Sequence, residues 1–264
     1  AIADASFRDR WPSLSPVVKN PQYRVALFGG CAQDFVYPEQ LEAAVKVLAA
    51  HGVTVEYPEA QTCCGLPLET MGQRPTSRDV ARQNVEAFSA GSYDAVITLC
   101  ASCASHLKHG YPSLLQDDPL ASRARAFAEK VTDFSSFVHD VLDLQPEHFN
   151  NAGEKTTYHA ACHICRGLGV KEAPRALIAD AASYVPCAEE EVCCGFGGSY
   201  SMKFPEISAQ LLEKKLDNIR RTGASRVVMD CPGCIMQIRG GTEKRKYDFK
   251  VSHIAELLAE NMKK

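Results

Sequence analysis

Ten cysteines fall into two sets with the same internal spacing, and this repeat constrains the fold more than any other feature of the chain. The first set is Cys31, Cys63, Cys64, Cys100 and Cys103; the second is Cys162, Cys193, Cys194, Cys231 and Cys234. Position by position the two sets keep one long offset, constant to within a single place. Each contains Cys-Cys-Gly, at 63–65 and 193–195, and each closes on Cys-x-x-Cys. Self-similarity at a fixed long period marks a duplicated structural unit. The 264 residues leave about 130 for each copy, enough to bury a core.

The stretches between the cysteines alternate between strand and helix patterns. In the first copy, 23–29 is apolar and β-prone and ends just before Cys31. A helix follows, with Leu41, Val45 and Leu48 on one face. A strand at 53–57 leads to Cys63, a helix covers 77–90, and the apolar run 95–99 enters Cys100. The second copy repeats the order: strand 156–160, helix 173–182, short strand 183–186, helix 205–222 and strand 226–230, then a last strand and helix at 250–252 and 254–262. Continuous apolar strands separated by helices predict parallel sheets covered on both faces. The expected fold is α/β: two small domains with mainly parallel sheets, related by pseudo-twofold symmetry. Residues 1–22 read as an N-terminal linker, 23–150 as the first domain and 151–264 as the second. The stretch 120–151 reads as a helical connection, with Phe134, Phe137, Val138 and Val141 on one face.

The cysteines sit at the carboxyl ends of strands, where open parallel sheets bind ligands. Five thiols exceed the four that close a structural zinc site. Consecutive Cα atoms are about 3.8 Å apart, so Cys63 and Cys64 do not easily converge on one tetrahedral ion. They suit two metals of one cluster, which points to iron–sulfur chemistry. Gly65, Gly195, Gly197 and Gly198 are candidate cofactor-binding positions, because they let backbone N–H groups approach cluster sulfur. The competing readings are zinc, disulfides and, for Gly195-Phe196-Gly197-Gly198, a nucleotide loop. The last follows cysteines rather than a strand and is not a full dinucleotide fingerprint.

A net charge of −3 gives no basic footprint for nucleic acid. No stretch is apolar enough to span a bilayer, and the first residues lack an export pattern. The expected location is cytoplasmic, with any membrane attachment made through partners. The chain begins on Ala1, as a piece of a longer polypeptide or a processed form does.

The pattern Cys-x31-Cys-Cys-Gly-x34-Cys-x2-Cys, then Cys-x30-Cys-Cys-Gly-x35-Cys-x2-Cys, resembles the cysteine-rich (CCG) domain family. That family includes heterodisulfide reductase-like iron–sulfur oxidoreductases and the iron–sulfur subunits of glycolate and glycerol-3-phosphate oxidoreductases. Thr62-Cys63-Cys64-Gly65-Leu66-Pro67, the stretch from Cys193 to Lys203, Asp133-Phe134-Ser135-Ser136-Phe137-Val138 and His253-Ile254-Ala255-Glu256-Leu257-Leu258 resemble its lactate-utilisation group. The resemblance implies two iron–sulfur clusters of the 4Fe-4S type, noncubane in the heterodisulfide reductase branch. It also implies an oxidoreductase subunit of an L-lactate-oxidising complex, with a small-molecule substrate and a ferredoxin-like iron–sulfur partner subunit. Disulfide reduction and electron relay beside a flavoprotein are the alternatives.

Oxidation of a 2-hydroxy acid needs a base for the hydroxyl proton and a cation for the carboxylate. His163, Arg166, Lys203 and His253 are the candidate catalytic residues, with His159 a further candidate just before the second set. For each, the alternatives are a hydrogen bond to cluster sulfide, a helix cap or a solvated charge. His106 and His109 read as exposed, Cys165 as a spare thiol and Cys187 as a small buried hydrophobe.

Overall fold

Apolar runs that end just before cysteines become the buried strands of two parallel sheets. The computed structural model describes residues 2–263. The first sheet holds β1 (Tyr23–Phe28), β2 (Val53–Glu56), β3 (Ala95–Thr98) and β4 (Val131–Asp133), in the order β2-β1-β3-β4. The second holds β5 (Lys155–Tyr158), β6 (Ser183–Tyr184), β7 (Arg226–Met229) and β8 (Lys250–His253), in the order β6-β5-β7-β8. Every pairing is parallel. The register repeats as well: Leu27 lies opposite Ile97, and Tyr158 opposite Val228 at the matching place in the second copy. The two-domain α/β expectation holds at this level.

In the first unit the sheet is covered by α1 (Phe7–Leu14), α2 (Pro38–Ala50), α3 (Arg74–Ser89), α4 (Ala101–Ser105) and α5 (Ala121–Lys130). Leu41, Val45 and Leu48 of α2 are buried, as their spacing predicts. The second unit carries α6 (Glu172–Ala181), α7 (Pro205–Arg221), α8 (Pro232–Arg245) and α9 (Ile254–Asn261). Leu216 and Ile219 of α7 and Leu257 and Leu258 of α9 fill its core. Among the described residues, no helix is long and apolar enough to cross a membrane.

Three expectations need correction. Residues 1–22 are not a mere linker. A reciprocal capping box between Ser6 and Asp9 starts α1, and Phe7 and Trp11 are buried against Tyr57. The stretch 120–151 is not only helical: α5 runs into β4, the fourth strand of the first sheet. So short a strand is too little to outweigh the helical periodicity on either side. The compact units also divide between Phe137 and Val138, earlier than the expected boundary at 150. Residues after Val138 pack with the second unit, where Phe149 bridges Met262 and Asn150 N–H donates to Asn261 O at 2.6 Å.

Candidate metal centres

Each cysteine set lies where its sheet order reverses. From β1 the chain goes outward to β2, then returns to β3 on the other side of β1. Loops leaving the carboxyl ends of β1 and β3 therefore diverge and open a crevice. Cys31 follows β1 by three residues and Cys100 follows β3 by two; Cys162 and Cys231 follow β5 and β7 by four and two.

In the first unit, Cys31 Sγ lies 3.6 Å from Cys63 Sγ. Cys100 caps α4, with its sulfur accepting the Cys103 N–H at 3.5 Å and lying 3.1 Å from Ser102 Oγ. A side chain at Gly30 would come 3.5 Å from Cys103 Sγ, so the Cys31 loop and the Cys-x-x-Cys turn meet. The adjacent cysteines face different neighbours as well as each other: Cys63 interacts with Cys31 and Cys64, and buried Cys64 with Cys103 and Cys63. The second unit repeats this, Cys193 with Cys162 and Cys194 with Cys234. All ten predicted cysteines are thus gathered, five in each unit.

The electrostatics suit a cationic guest. The Cys63 thiol is pulled down by its hydrogen bond from Cys31, then by Cys64, and Cys193 is pulled down in the same way by Cys162 and Cys194. Cys103 is pushed up by Cys100, Cys64 and burial, and Cys234 by Cys194, Cys231 and burial. Crowded sulfurs cannot all ionise side by side without metal cations among them.

Gly65 and Gly195 have φ of +87° and +89°. This left-handed turn aims their N–H groups back at Cys63 and Cys193 sulfur, at 3.5 and 3.3 Å. A Cβ at Gly195 would come 2.6 Å from Ser208 O, so the turn admits no side chain. Gly197 and Gly198 lie in the exposed turn that follows.

The candidate catalytic residues are placed unevenly. His163 is half-buried, with Nδ1 3.6 Å from Cys162 Sγ, in a π-helical turn, His163–Gly167, that also buries Cys165. Arg166 is exposed and reaches Glu191 O at 3.5 Å. Lys203 is exposed at the end of the short helix Tyr200–Lys203. His253 is fully buried and caps α9, its Nδ1 accepting the Ala255 N–H at 3.0 Å. Cys187 is buried, as read.

His106, read as exposed, is buried against Tyr111. It shares its π-helical turn, His106–Gly110, with exposed His109. Several supporting residues carry no motif of their own in the sequence. Ser77 Oγ donates to Gly65 O at 3.3 Å and Ser208 Oγ to Gly195 O at 2.8 Å. These serines hold matching places in the two copies, a signal the repeat contained. Asn84 Nδ2 donates to Cys63 O at 2.9 Å, and Tyr111 Oη to Cys64 O at 2.9 Å. Lys215 takes the place in the second copy that Asn84 holds in the first. It is buried, with Nζ on the carbonyls of Glu189 and Glu190 at 2.6 and 3.2 Å. His159 is buried, with a ring nitrogen, Cys194 Sγ and Cys234 Sγ all within 4.8 Å of one another. Burial, then the Lys215 charge, pushes its imidazole down to about 3, so it is neutral.

Comparison with known proteins agrees with this geometry. The cysteine-rich domain, CCG, matches residues 25–108 and 156–239. Lactate utilization protein A of Exiguobacterium is 36% identical over 246 residues, covering 90% of this chain and 98% of that one. The Bacillus pumilus protein of the same name is 37% identical over 239 residues, covering 89% and 98%. Among solved structures, a hypothetical protein from Helicobacter pylori shares the fold, with TM-score 0.60 at 12% identity over 98% of this chain. This chain spans 54% of that structure's length. With two copies of the domain and such relatives along most of its length, the chain belongs to the cysteine-rich CCG family, in its lactate utilization protein A group.

Proposed function

We propose that the chain is the iron–sulfur subunit of an L-lactate-oxidising system, with one cluster in each five-cysteine set. The gathering of five thiols at each crevice carries the reading, with Cys31 and Cys63 sulfurs 3.6 Å apart, because five thiolates exceed what one tetrahedral ion takes and suit several metal centres. Cys31, Cys63, Cys64, Cys100 and Cys103 would hold the first cluster, and Cys162, Cys193, Cys194, Cys231 and Cys234 the second. When bound, such a cluster supplies reversible one-electron transfer. Gly65 and Gly195 N–H groups stabilise negative charge on the Cys63 and Cys193 sulfurs. The lactate assignment is supported by the names of relatives that match nearly end to end.

Oxidation of lactate to its keto acid releases two electrons and two protons. His163, beside Cys162, is the candidate base for the hydroxyl proton, and Arg166 the candidate partner for the carboxylate. A ferredoxin-like partner carries electrons onward, and the system is cytoplasmic.

The test is iron, zinc and acid-labile sulfide per chain, on protein purified without oxygen. About eight iron and matching sulfide are expected for two four-iron clusters; zinc without sulfide overturns the reading. In the assembled system, His163→Ala and Arg166→Ala should cut lactate-dependent turnover by about a hundredfold or more. Unchanged turnover would assign this chain electron relay alone.

A further inference from the structure

We propose that His159 ligates the second metal centre through a ring nitrogen, so that the two halves of the chain hold chemically different clusters. The proposal rests on the iron–sulfur reading above and goes beyond it, because the five-cysteine pattern alone makes the two centres equivalent.

His159 occupies a matched position in the repeat. It stands three residues before Cys162, as Phe28 stands three before Cys31. Its N–H donates to Val228 O at 3.0 Å, which extends the β5–β7 ladder by one residue and fixes where the side chain leaves the backbone. The ring is buried in the second centre with only 1% exposure. One ring nitrogen and the Cys194 and Cys234 sulfurs lie within 4.8 Å of one another, close enough for a metal ion or cluster edge to be shared among them.

The ring also lacks the ordinary use of a buried histidine. Neither nitrogen makes a hydrogen bond of normal geometry; the Glu190 backbone approaches the ring without completing one. His253 shows that ordinary use in the same unit, with Nδ1 spent on a helix cap. A buried polar side chain without a partner is costly and calls for a missing one. Two thiols already gathered beside the ring identify that partner as the metal they hold, and imidazole is a borderline donor that iron accepts.

Phe28 cannot donate at the matching place, and the histidine that acts on Cys63 in the first centre, His106, comes instead from the turn after Cys103, so the two centres are not equivalent. The halves differ again at one supporting position, where Asn84 in the first corresponds to Lys215 in the second. Lys215, whose pKa burial pushes down, interacts electrostatically with Cys194, where the first centre has an uncharged amide. With the imidazole in place of one of the five thiolates, the second centre carries less negative charge and is the easier one to reduce, as exchange of cysteine for histidine makes other clusters. The two centres then titrate at separate potentials, with the second taking the first electron.

The experiment is pulsed electron paramagnetic resonance on the holoprotein in its paramagnetic state, after iron and sulfide have been counted. A directly ligated nitrogen gives a strong 14N coupling, and growth on 15N-histidine must replace it with the 15N pattern. His163 lies near Cys162, so the coupling must survive in His163→Ala and vanish in His159→Phe, which installs the residue of the first half. His159→Cys should shift one of two redox transitions downward and leave the other in place. Should His159→Phe fail to fold, the labelled wild type beside labelled His163→Ala still decides. Two-cluster iron and sulfide with no histidine coupling, or coupling that persists in His159→Phe, overturns this proposal alone. Protein without iron and sulfide overturns both it and the iron–sulfur reading.

Discussion

Ser208 donates its hydroxyl to the carbonyl oxygen of Gly195 at 2.8 Å, and Ser77 does the same for Gly65 at 3.3 Å. Each serine comes from the long helix that follows a Cys-Cys-Gly turn, and each is buried. The bond anchors a left-handed glycine whose N–H faces a cysteine sulfur. Ser208 also accepts from Gln237 Nε2 at 3.0 Å. Ser208→Ala leaves both partners unsatisfied and should cost about 2 kcal/mol, and Ser77→Ala about 1 kcal/mol. Urea unfolding midpoints of the two variants check the order.

Gly195→Ala places a methyl group 2.6 Å from Ser208 O, on a residue whose φ is +89°. The turn must open, at a cost of about 1–3 kcal/mol. Gly65→Ala carries the same strain at φ +87° but meets its nearest atoms, Ser77 Oγ and Val80 Cγ1, at 3.2 Å, where side chains rather than backbone must give. Iron per chain should fall by about half in Gly195→Ala and stay near the wild-type value in Gly65→Ala. Equal iron in both would mean that the turn does not set metal retention.

The N-terminal helix is part of the first unit's core. Trp11 is 8% exposed and contacts Phe7 and Tyr57, with ring centroids 5.6 and 6.0 Å away. Asp34, completely buried, takes hydrogen bonds from Arg8 Nε at 2.7 Å and Tyr57 Oη at 3.1 Å, tying α1 to the turn that carries Cys31. Trp11→Ala should lower stability by about 3 kcal/mol, measured by denaturant unfolding. A cost near zero would return residues 1–22 to the status of a linker.

Asp118 gives the first unit an acid-sensitive latch. Its carboxylate accepts the Leu120 N–H at 3.0 Å and pairs with Arg82 Nε at 2.7 Å and Arg78 at 3.3 Å. The backbone bond first, then the arginines, hold its folded pKa below the usual carboxylate range. A lowered folded pKa contributes stability that is fully present above the unfolded value, about 4. It is lost as pH falls through the folded value. The difference in melting temperature between wild type and Asp118→Asn should therefore be constant from about pH 5 to 7 and shrink below about pH 4. A difference that grows on acidification would contradict the latch.

The sequence by itself determined the duplication, both cysteine sets and nearly every strand that carries them. The long period survives in the letters because each half must place the same donors at the same sheet edge. Residues that support a site through one contact leave a fainter mark. Ser77 and Ser208 matched in the period but have no chemistry that singles them out before their carbonyl partners are known.

Only the tertiary structure decided the rest. β4 is a strand because a buried edge of β3 was free to pair with it, not because so short a segment announces a strand. Histidines identical in composition received different environments: His253 caps a helix, His106 packs on Tyr111, His163 lies beside Cys162, and His159 enters the second cysteine cluster. Imidazole serves as cap, packing group, proton carrier or ligand according to what surrounds it. Those surroundings come from segments far apart in the chain: His159 follows β5, while Cys194 and Cys234 belong to two separate later segments that only folding brings to its ring.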